Sequence, residues 1–464
     1  MVFSNLIFLY LFLPVCLIFY FLCQNIRAKN AVLIVFSLIF YAWGEPVYVV
    51  LMLFSTALDY TCGQMVERHR GQRGAKMALL VSVCVNLGLL GVFKYSDFLI
   101  GTVNSLFGTA LPQPNLPLPI GISFYTFQTM SYTIDVYRGE ARAQKNIINF
   151  GAYVTLFPQL IAGPIVRYQT VADELEHRDC TADLFADGVK RFACGIGKKV
   201  LLANNIGLLW EAASAQAAPT VLTAWLGVIA YGFQIYFDFS GYSDMAIGLG
   251  RMLGFRFLEN FNYPFLADSI TDFWRRWHIS MGTWFRDYVY IPLGGNKGGL
   301  AKQLRNIAIV WLLTGFWHGA SWNFVLWGVY FGVLLVLEKL ILLRWLKRLP
   351  AVLRHIYALV LVTISWTLFA FTEISKGAAW CKAMLSGVLF DSSSLYLLLT
   401  YGPMLAICAL AATPLGKRFY KKLGTRLGQR ALTVVDCGGL TCVLVMAAAY
   451  LVSGSYNPFL YFRF

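Results

Sequence analysis

Long apolar runs separated by short polar segments recur along the whole sequence. A helix needs about 20 residues to cross a hydrocarbon core of about 30 Å, and many of these runs approach that length. The runs are continuous and rich in Leu, Val and Ala, which favours helices over the alternating strands of a membrane barrel. The predicted elements are 6–23, 31–53, 77–93, 120–136, 150–161, 184–209, 221–237, 306–317, 324–342, 356–371, 395–410 and 431–452.

This pattern predicts an all-α polytopic membrane protein with about eleven transmembrane helices, plus re-entrant and interfacial helices. The run 150–161 is too short to cross alone at about 1.5 Å per residue, so a re-entrant or tilted element is expected there. The sequence contains no linker long enough to separate domains. A single transmembrane domain over residues 1–464 is therefore expected.

Basic residues between the apolar runs indicate which loops face the cytoplasm. The segments 344–354 and 417–430 are rich in Lys and Arg, so both are predicted to be cytoplasmic. The weakly charged stretch 372–394 lies between them and is predicted to face outward. If the run 431–452 crosses once, residues 453–464 emerge on the outer side or fold back into the outer mouth of the protein.

Composition indicates that water is not the main solvent of this chain. Of its 464 residues 58% are hydrophobic and 13% are charged, and the mean hydropathy is +0.62, unlike that of soluble globular domains. The net charge of +15 is divided among short segments between apolar runs, so the lipid membrane explains it and no nucleic acid partner is expected. The ten cysteines form no CxxC pair, and no metal site is predicted.

His318 is the strongest candidate for chemistry. It lies in the stretch 311–325, which contains no Lys, Arg, Asp or Glu. An ionisable group in such a run usually faces a bundle interior or an aqueous path, and imidazole suits proton transfer near neutral pH. The alternative is a neutral imidazole that bridges two helices. Gly315 and Gly319 allow close approach of another backbone or of a substrate.

A second histidine, His278, lies in the stretch 272–288, which is dense in aromatic residues and arginines. At helical spacing the aromatic side chains fall on one side, which indicates an interfacial helix. These residues alone favour an amphipathic anchor whose arginines meet lipid headgroups. The glycine-rich loop 291–299 follows, with Lys297. The backbone N–H groups of this loop can approach a phosphate. A flexible turn between helices is the alternative.

Carboxylates and hydroxyls come together near the end of another apolar run, in Phe237-Asp-Phe-Ser-Gly-Tyr-Ser-Asp244. Polar groups at membrane depth need partners, so these are expected to orient a histidine or to line a hydrophilic pore. Helix capping with interhelical hydrogen bonds is the alternative. The predicted pore or support residues are Asp238, Ser240, Asp244, Trp317 and Asn323.

Three segments resemble the signatures of the membrane-bound O-acyltransferase family: Phe273-Trp-Arg-Arg-Trp-His-Ile-Ser280, Pro292-Leu-Gly-Gly295 and Phe316-Trp-His-Gly-Ala-Ser-Trp322. Within the family the sequence is similar to the bacterial alginate O-acetyltransferase branch, through Pro119-Ile-Gly-Ile-Ser-Phe-Tyr-Thr-Phe127, Phe157-Pro-Gln-Leu-Ile-Ala-Gly-Pro164 and the segment that ends at Asp244. The resemblance covers nearly the whole chain. Peptidoglycan and cellulose O-acetylation systems use similar membrane subunits, so the resemblance does not fix the polysaccharide.

The resemblance implies tilted helices around a funnel-like pore that narrows near His318. It implies that His318 is the catalytic base and that His278 is the family's second characteristic histidine. The segment Asn457-Pro-Phe-Leu-Tyr-Phe-Arg-Phe464 resembles a tyrosine-containing motif of this branch, which makes Tyr461 a candidate acyl carrier. An aromatic anchor at the membrane interface is the alternative. The candidates for holding the phosphates of CoA are Arg275, Arg276 and Lys297.

The resemblance also implies a reaction and its participants. Cytoplasmic acetyl-CoA is the expected acyl donor, and no permanently bound cofactor is expected. The acetyl group passes through the bacterial cytoplasmic membrane to an envelope or extracellular polysaccharide, alginate-like or peptidoglycan, with an extracytoplasmic acetyltransferase as partner protein. Two alternatives stay open: a permease or channel for a polar solute, and a family member with a D-alanyl or lipid donor or acceptor.

Overall fold

The computed structural model describes residues 1–161, 163–454 and 460, and these residues form helices and loops without a strand. The α-helices are α1 Leu13–Leu22, α2 Ile26–Ala42, α3 Val49–Arg68, α4 Arg73–Leu90, α5 Ser96–Phe107, α6 Ile122–Arg138, α7 Ile147–Thr155, α8 Phe157–Leu160, α9 Tyr168–Glu176, α10 Ala182–Ile196, α11 Asn204–Ser214, α12 Val221–Met252, α13 Ile270–Arg276, α14 Ile279–Phe285, α15 Leu300–His318, α16 Trp322–Leu337, α17 Leu343–Leu346, α18 Ala351–Ala370, α19 Ile374–Leu385, α20 Ser392–Ala411, α21 Leu415–Arg426 and α22 Gln429–Val452. Short π-helical segments lie at Phe8–Phe12, Gly91–Tyr95, Gly197–Ala203, Arg286–Tyr290 and Glu338–Leu342, and a 3₁₀ turn lies at Pro264–Leu266. The predicted all-α class is confirmed.

Seven helical stretches of the described chain are long and apolar enough to cross a membrane: Val49–Arg68, Arg73–Phe107, Val221–Met252, Trp322–Leu346, Ala351–Ala370, Ser392–Ala411 and Arg430–Val452. This is fewer than predicted, because several predicted spans are short or interrupted. The run 184–209 divides into α10, a π-helical segment that carries Lys199, and α11. The run 150–161 divides into α7 and α8, which are mostly buried, as expected for an element too short to cross alone.

The chain forms two compact units. The first contains Met1–Phe192 and Ser243–Leu258, and the second contains Ala193–Tyr242 and Glu259–Phe464. Helix α12 therefore begins in the second unit and ends in the first. The prediction of one domain over residues 1–464 stays a prediction.

A buried polar network joins three helices of the first unit. Asp59 on α3 accepts hydrogen bonds from Ser82 Oγ at 2.5 Å and from Asn86 Nδ2 at 2.8 Å, both on α4. Thr133 Oγ1 on α6 lies 2.8 Å from Ser82 Oγ. Because unpaired polar groups are costly in apolar surroundings, these bonds hold α3, α4 and α6 together.

The second unit contains a close crossing of α15 and α16. A Cβ atom on Gly315 of α15 would lie 2.5 Å from the carbonyl oxygen of Phe324 on α16. A Cβ atom on Gly328 of α16 would meet the carbonyl oxygen of Trp311 on α15 in the same way. Small residues allow two helices to cross backbone to backbone. Of the two uses predicted for Gly315, approach by another backbone is the one observed.

We expect Gly315→Ala to destabilise the protein, because a methyl group here clashes with the Phe324 carbonyl and forces α15 and α16 apart. Overpacking of this kind costs about 1–3 kcal/mol. Thermal unfolding in one detergent measures the effect, with Gly402→Ala as the matched control. Gly402 lies in α20, and no described atom from outside its own helix lies within 4 Å of a Cβ built there.

The control is expected to be neutral or slightly stabilising, because Ala exceeds Gly in helix propensity by up to about 1 kcal/mol. Equal unfolding temperatures for the wild type and Gly315→Ala would contradict the close crossing.

Candidate functional site

His318 ends helix α15 and is buried in the second unit, with 5% of its surface exposed. Three aromatic rings pack edge-on against the imidazole. Their centroids lie 4.9 Å from the imidazole centroid for Trp327, 5.1 Å for Trp317 and 5.4 Å for Phe369. These rings come from α16, α15 and α18 and form a box of low dielectric around the histidine. Its burial agrees with the uncharged stretch in which it lies.

Two of the predicted support residues lie at this box. Trp317 contacts both histidines, because its ring centroid also lies 6.0 Å from that of His278. Asn323, at the start of α16, donates a hydrogen bond from Nδ2 to the carbonyl oxygen of Leu368 at 3.1 Å. Leu368 precedes Phe369, so this bond ties α16 to the part of α18 that contacts His318.

His278 is completely buried, and its surroundings fix which ring nitrogen carries the proton. Asn260 Oδ1 accepts the backbone N–H of Ser280 at 3.2 Å and lies 3.1 Å from His278 Nδ1. A backbone N–H only donates, so Oδ1 is an acceptor and Nδ1 carries the proton. Nε2 is then the basic nitrogen, and it has no hydrogen-bond partner among the described residues. Burial lowers the pKa of His278, which lies outside the candidate membrane spans, to about 3.

The interpretation of residues 272–288 as one interfacial helix is wrong. The segment forms α13 and α14, which are separated at His278, where φ is +46°. The aromatic residues of the predicted apolar face are buried in the protein: Phe273, Trp277 and Trp284. The physical reason is that Asn260 offers the imidazole a hydrogen bond inside the second unit, whereas a continuous surface helix would leave it without one.

A cavity of about 550 Å³ lies beside α13 and is lined in part by basic side chains. Its lining includes the basic side chains Arg275, Arg276, Lys347 and Arg354, the imidazole of His355, and the carboxylates of Asp268 and Asp272. The two carboxylates each lie within 3.3 Å of an arginine, Arg354 and Arg276 respectively. Four Lys and Arg side chains against two carboxylates leave the cavity positively charged.

A second cavity, of about 590 Å³, adjoins the first, because Arg275 lines both. Its walls are mainly apolar and aromatic, and they include Trp274 of α13 and Thr314 of α15. Thr314 lies one helical turn before His318. The Trp274 ring centroid lies 5.5 Å from that of Trp327, which contacts His318. His318 lines neither cavity, and the Trp274 and Trp327 rings lie between the second cavity and its imidazole.

Glu338 holds α13 in place, and the sequence pattern did not single it out. This fully buried carboxylate accepts the backbone N–H groups of Ile270 at 2.6 Å and Thr271 at 2.8 Å, and the hydroxyl of Tyr357 at 3.2 Å. The first N–H groups of a helix lack partners within the helix, and a carboxylate satisfies them well. A lone acidic residue in the apolar run 324–342 was the available signal.

The predicted carboxylates of α12 form ion pairs with cations instead of orienting a histidine. Asp238 Oδ1 lies 2.7 Å from Lys199 Nζ, and both side chains are buried. Asp244 Oδ1 lies 2.6 Å from Arg191 Nη2. Asp238 Oδ2 also accepts the backbone N–H of Leu460 at 2.9 Å. A lysine within the predicted run 184–209 was the signal that could have revealed Lys199.

Ser240, Lys297 and Tyr461 are the other predicted site residues. Ser240 is buried within α12. Lys297 is exposed in the loop before α15, at the opposite end of that helix from His318, and lines neither of the two cavities. Tyr461 lies outside the described residues.

Comparison with known proteins identifies the family. Residues 75–376, well over half of the chain, match the sequence model of the membrane-bound O-acyltransferase family. The chain belongs to this family. The probable alginate O-acetylase of Azotobacter vinelandii is 37% identical over the whole length of both chains, and that of Pseudomonas aeruginosa is 44% identical over 83% of this chain and 75% of its own. The peptidoglycan O-acetyltransferase of Helicobacter pylori is 29% identical over all of this chain and 98% of its own.

Family membership makes the protein a multi-pass membrane acyltransferase, as the sequence motifs indicated. This excludes the alternative of a permease or channel. Both histidines and every residue that lines the two cavities lie within the part matched to the family. Leu460 and Tyr461 lie beyond it.

We expect the His278 ring to stay neutral, with its proton on Nδ1, down to about pH 5, because burial lowers its pKa from 6.5 to about 3. Nitrogen-15 NMR of histidine-labelled protein measures this, and His278→Gln assigns the signal. The unfolded chain takes up the proton first, so this group's contribution to stability is complete above about pH 6.5 and is lost as the pH falls toward 3.

Asn260→Asp is the matched variant, because a carboxylate beside Nδ1 stabilises the imidazolium and raises the pKa by about one unit or more. Titration of the wild-type ring near its ordinary pKa would contradict the buried neutral state.

Proposed function

We propose that this acyltransferase moves acetyl groups from cytoplasmic acetyl-CoA across the bacterial inner membrane for O-acetylation of an envelope polysaccharide. His318 is the base, Tyr461 carries the acetyl group, and His278 contributes a second basic nitrogen near the same site. The observation that carries this proposal is a pair of adjoining cavities, of which the first is lined by basic side chains and the second reaches Trp274 and Thr314, close to the buried His318.

The basic cavity suits the phosphates of CoA. Arg275 is exposed and makes no ion pair within the described part of the chain, so its guanidinium can bind a phosphate through two N–H groups. Lys347 and Arg354 belong to the segment 344–354, whose charge indicates the cytoplasmic side, where acetyl-CoA is found. Arg276 lines the same cavity and adds positive charge to this donor site, whereas Lys297 lines neither cavity.

The second cavity suits the uncharged part of the donor. Its aromatic walls favour the pantetheine arm and the thioester, which approach His318 past Trp274 and Trp327. The buried indole N–H of Trp327 has no acceptor among the described residues. In the proposed reaction this N–H donates to the oxyanion, which is how enzymes of acyl transfer stabilise the tetrahedral intermediate.

The proposed chemistry is general-base catalysis followed by release of a thiol. His318 accepts the phenol proton of Tyr461 as the phenol oxygen attacks the thioester carbonyl carbon. The tetrahedral intermediate collapses, the C–S bond breaks, and the imidazolium returns the proton to the CoA thiolate. The products are CoA and an acetyl ester of Tyr461. A hydroxyl on the outer side then takes the acetyl group, and the phenol regains a proton.

The acceptor and the partner follow from the relatives and from chemistry. Two of the relatives are named for alginate and one for peptidoglycan, which supports an envelope polysaccharide as the final acceptor. CoA is highly charged and does not cross a membrane, so only the acetyl group passes through. An extracytoplasmic acetyltransferase with its own nucleophile receives the group and delivers it to the sugar.

We expect wild-type protein incubated with acetyl-labelled CoA to release CoA and to gain a base-labile acetyl group, measured by mass spectrometry of the intact chain. His318→Ala and His318→Gln are both expected to lower the rate at least about a hundredfold, since general-base catalysis contributes about 10²- to 10⁴-fold. Neither replacement side chain accepts a proton near neutral pH. Activity retained in His318→Gln would remove His318 as the base.

Tyr461→Phe tests the carrier in the same assay, with Tyr450→Phe as the matched control on α22. The first variant is expected to lose the label and the second to keep it. Label retained in Tyr461→Phe would remove Tyr461 from the mechanism. Label from a D-alanyl or fatty acyl donor, with none from acetyl-CoA, would support the alternative family members, and no CoA release with the partner present would contradict the proposal.

We expect Arg275→Ala to raise KM for acetyl-CoA about tenfold or more with little change in kcat, because the arginine binds phosphates away from the reacting atoms. Acetyl-pantetheine lacks the nucleotide phosphates, so KM for this shorter donor is expected to be the same in the variant and the wild type. Arg344→Ala removes the same charge from the same basic segment outside the two cavities and is the control. Equal changes in KM for both donors would contradict a phosphate contact.

A further inference from the structure

A buried ion pair between Asp238 on α12 and Lys199 in the π-helical segment Gly197–Ala203 stands apart from the chemistry proposed for His318. The Asp238 and Lys199 side chains are 3% and 2% exposed, and Oδ1 and Nζ lie 2.7 Å apart. Helix α12 is long and apolar enough to cross a membrane. Burial of two charges in such surroundings offsets much of their attraction, so stability alone is a poor reason for the pair. Intramembrane charges more often mark a functional site.

The second oxygen of the Asp238 carboxylate binds a distant part of the chain. Oδ2 accepts the backbone N–H of Leu460 at 2.9 Å. The Leu460 side chain is 3% exposed and belongs to the same apolar core as Trp327 and Phe369, two of the rings around His318. Helix α22 ends at Val452, so the chain returns into the interior of the second unit by Leu460. Only residues 453, 454 and 460 of the range 453–464 are described, so both courses predicted for that range stay predictions.

We propose that Asp238 is a positioning residue for the acyl carrier. Its carboxylate, held by Lys199, binds the backbone N–H of Leu460 and so fixes the position along the chain of the next residue, Tyr461. This inference rests on the function proposed above, because it gives the ion pair a role in presenting Tyr461 to the donor.

Two contacts of different kinds define this attachment. The hydrogen bond to Asp238 is made by one particular backbone N–H, that of Leu460. The second contact is the burial of the Leu460 side chain in the apolar core. A shift of one residue would offer the carboxylate a different N–H and would replace the buried leucine. Lys199 Nζ lies 2.7 Å from the other oxygen of this carboxylate, and hydrogen bonds to the acceptor of an ion pair are about twice as strong as neutral ones.

The test removes the attachment without leaving a buried charge. Replacement of one partner of a buried ion pair costs about 3–5 kcal/mol, whereas replacement of both by apolar side chains of similar volume is often neutral. The double variant Lys199→Met/Asp238→Leu is therefore expected to fold. The matched control, Arg191→Met/Asp244→Leu, removes the other carboxylate pair of α12. Thermal unfolding in detergent checks that both double variants are folded.

Hydrogen–deuterium exchange of the full chain measures the attachment directly. The Leu460 amide is hydrogen-bonded and buried, so it is expected to exchange slowly in the wild type and at least about tenfold faster in Lys199→Met/Asp238→Leu. The control double variant is expected to match the wild type at this amide. Asp238→Asn keeps an acceptor oxygen without its charge, and a smaller increase in the exchange rate is expected.

Acetyl labelling of Tyr461 in the same variants separates this inference from the proposed function. Faster exchange at Leu460 together with loss of label supports both. Faster exchange with full labelling of Tyr461 would show that acetyl transfer does not need the attachment. It would overturn the positioning role of Asp238 and leave Tyr461 as the carrier. Slow exchange at Leu460 in the folded Lys199→Met/Asp238→Leu variant, or equally fast exchange in the control, would overturn the attachment.

Discussion

A charged side chain inside a membrane protein has to be matched by a partner, and this constraint organises the second unit. The desolvation of an ion costs several kcal/mol even after relaxation, unless a counterion or hydrogen bonds offset it. Asp238 meets the requirement through Lys199, and Glu338 meets it through the first N–H groups of α13. Each arrangement also holds a distant segment in place: Leu460 in one case and the arginine-bearing helix α13 in the other.

Helix α15 connects the glycine-rich loop to His318. Its 19 residues extend about 28 Å at 1.5 Å per residue, close to the thickness of a hydrocarbon core. The glycine-rich loop with Lys297 precedes one end, and His318 forms the other. The crossing with α16 at Gly315 keeps His318 against Trp327. In the function proposed above, phosphate binding takes place in the basic cavity beside α13, and proton transfer takes place in the apolar surroundings of His318.

The sequence predicted features that a local pattern of residues determines. It did not predict features that depend on contacts between residues far apart in the chain. Apolar runs identified the helices, and an uncharged stretch identified the burial of His318. The break at His278 was missed, because a positive φ is uncommon for any residue other than glycine, although histidine adopts it more often than most, and because its partner Asn260 lies 18 residues away. Lys199 and Glu338 were missed for the same reason, since their partners lie on elements far along the chain.

The hydrogen bonds from the start of α13 to Glu338 limit how far α13 can move relative to α16. Glu338 directly follows α16, the helix that contributes Trp327 to the histidine box, and its carboxylate binds the N–H groups that begin the arginine helix. A movement of α13 relative to α16 would break the hydrogen bonds from Ile270 and Thr271 to Glu338 and leave a buried carboxylate without these donors. Glu338 therefore links the arginine-bearing helix α13 to the helix that contributes Trp327. In the function proposed above, the movement that hands on the acyl group falls to other parts of the chain.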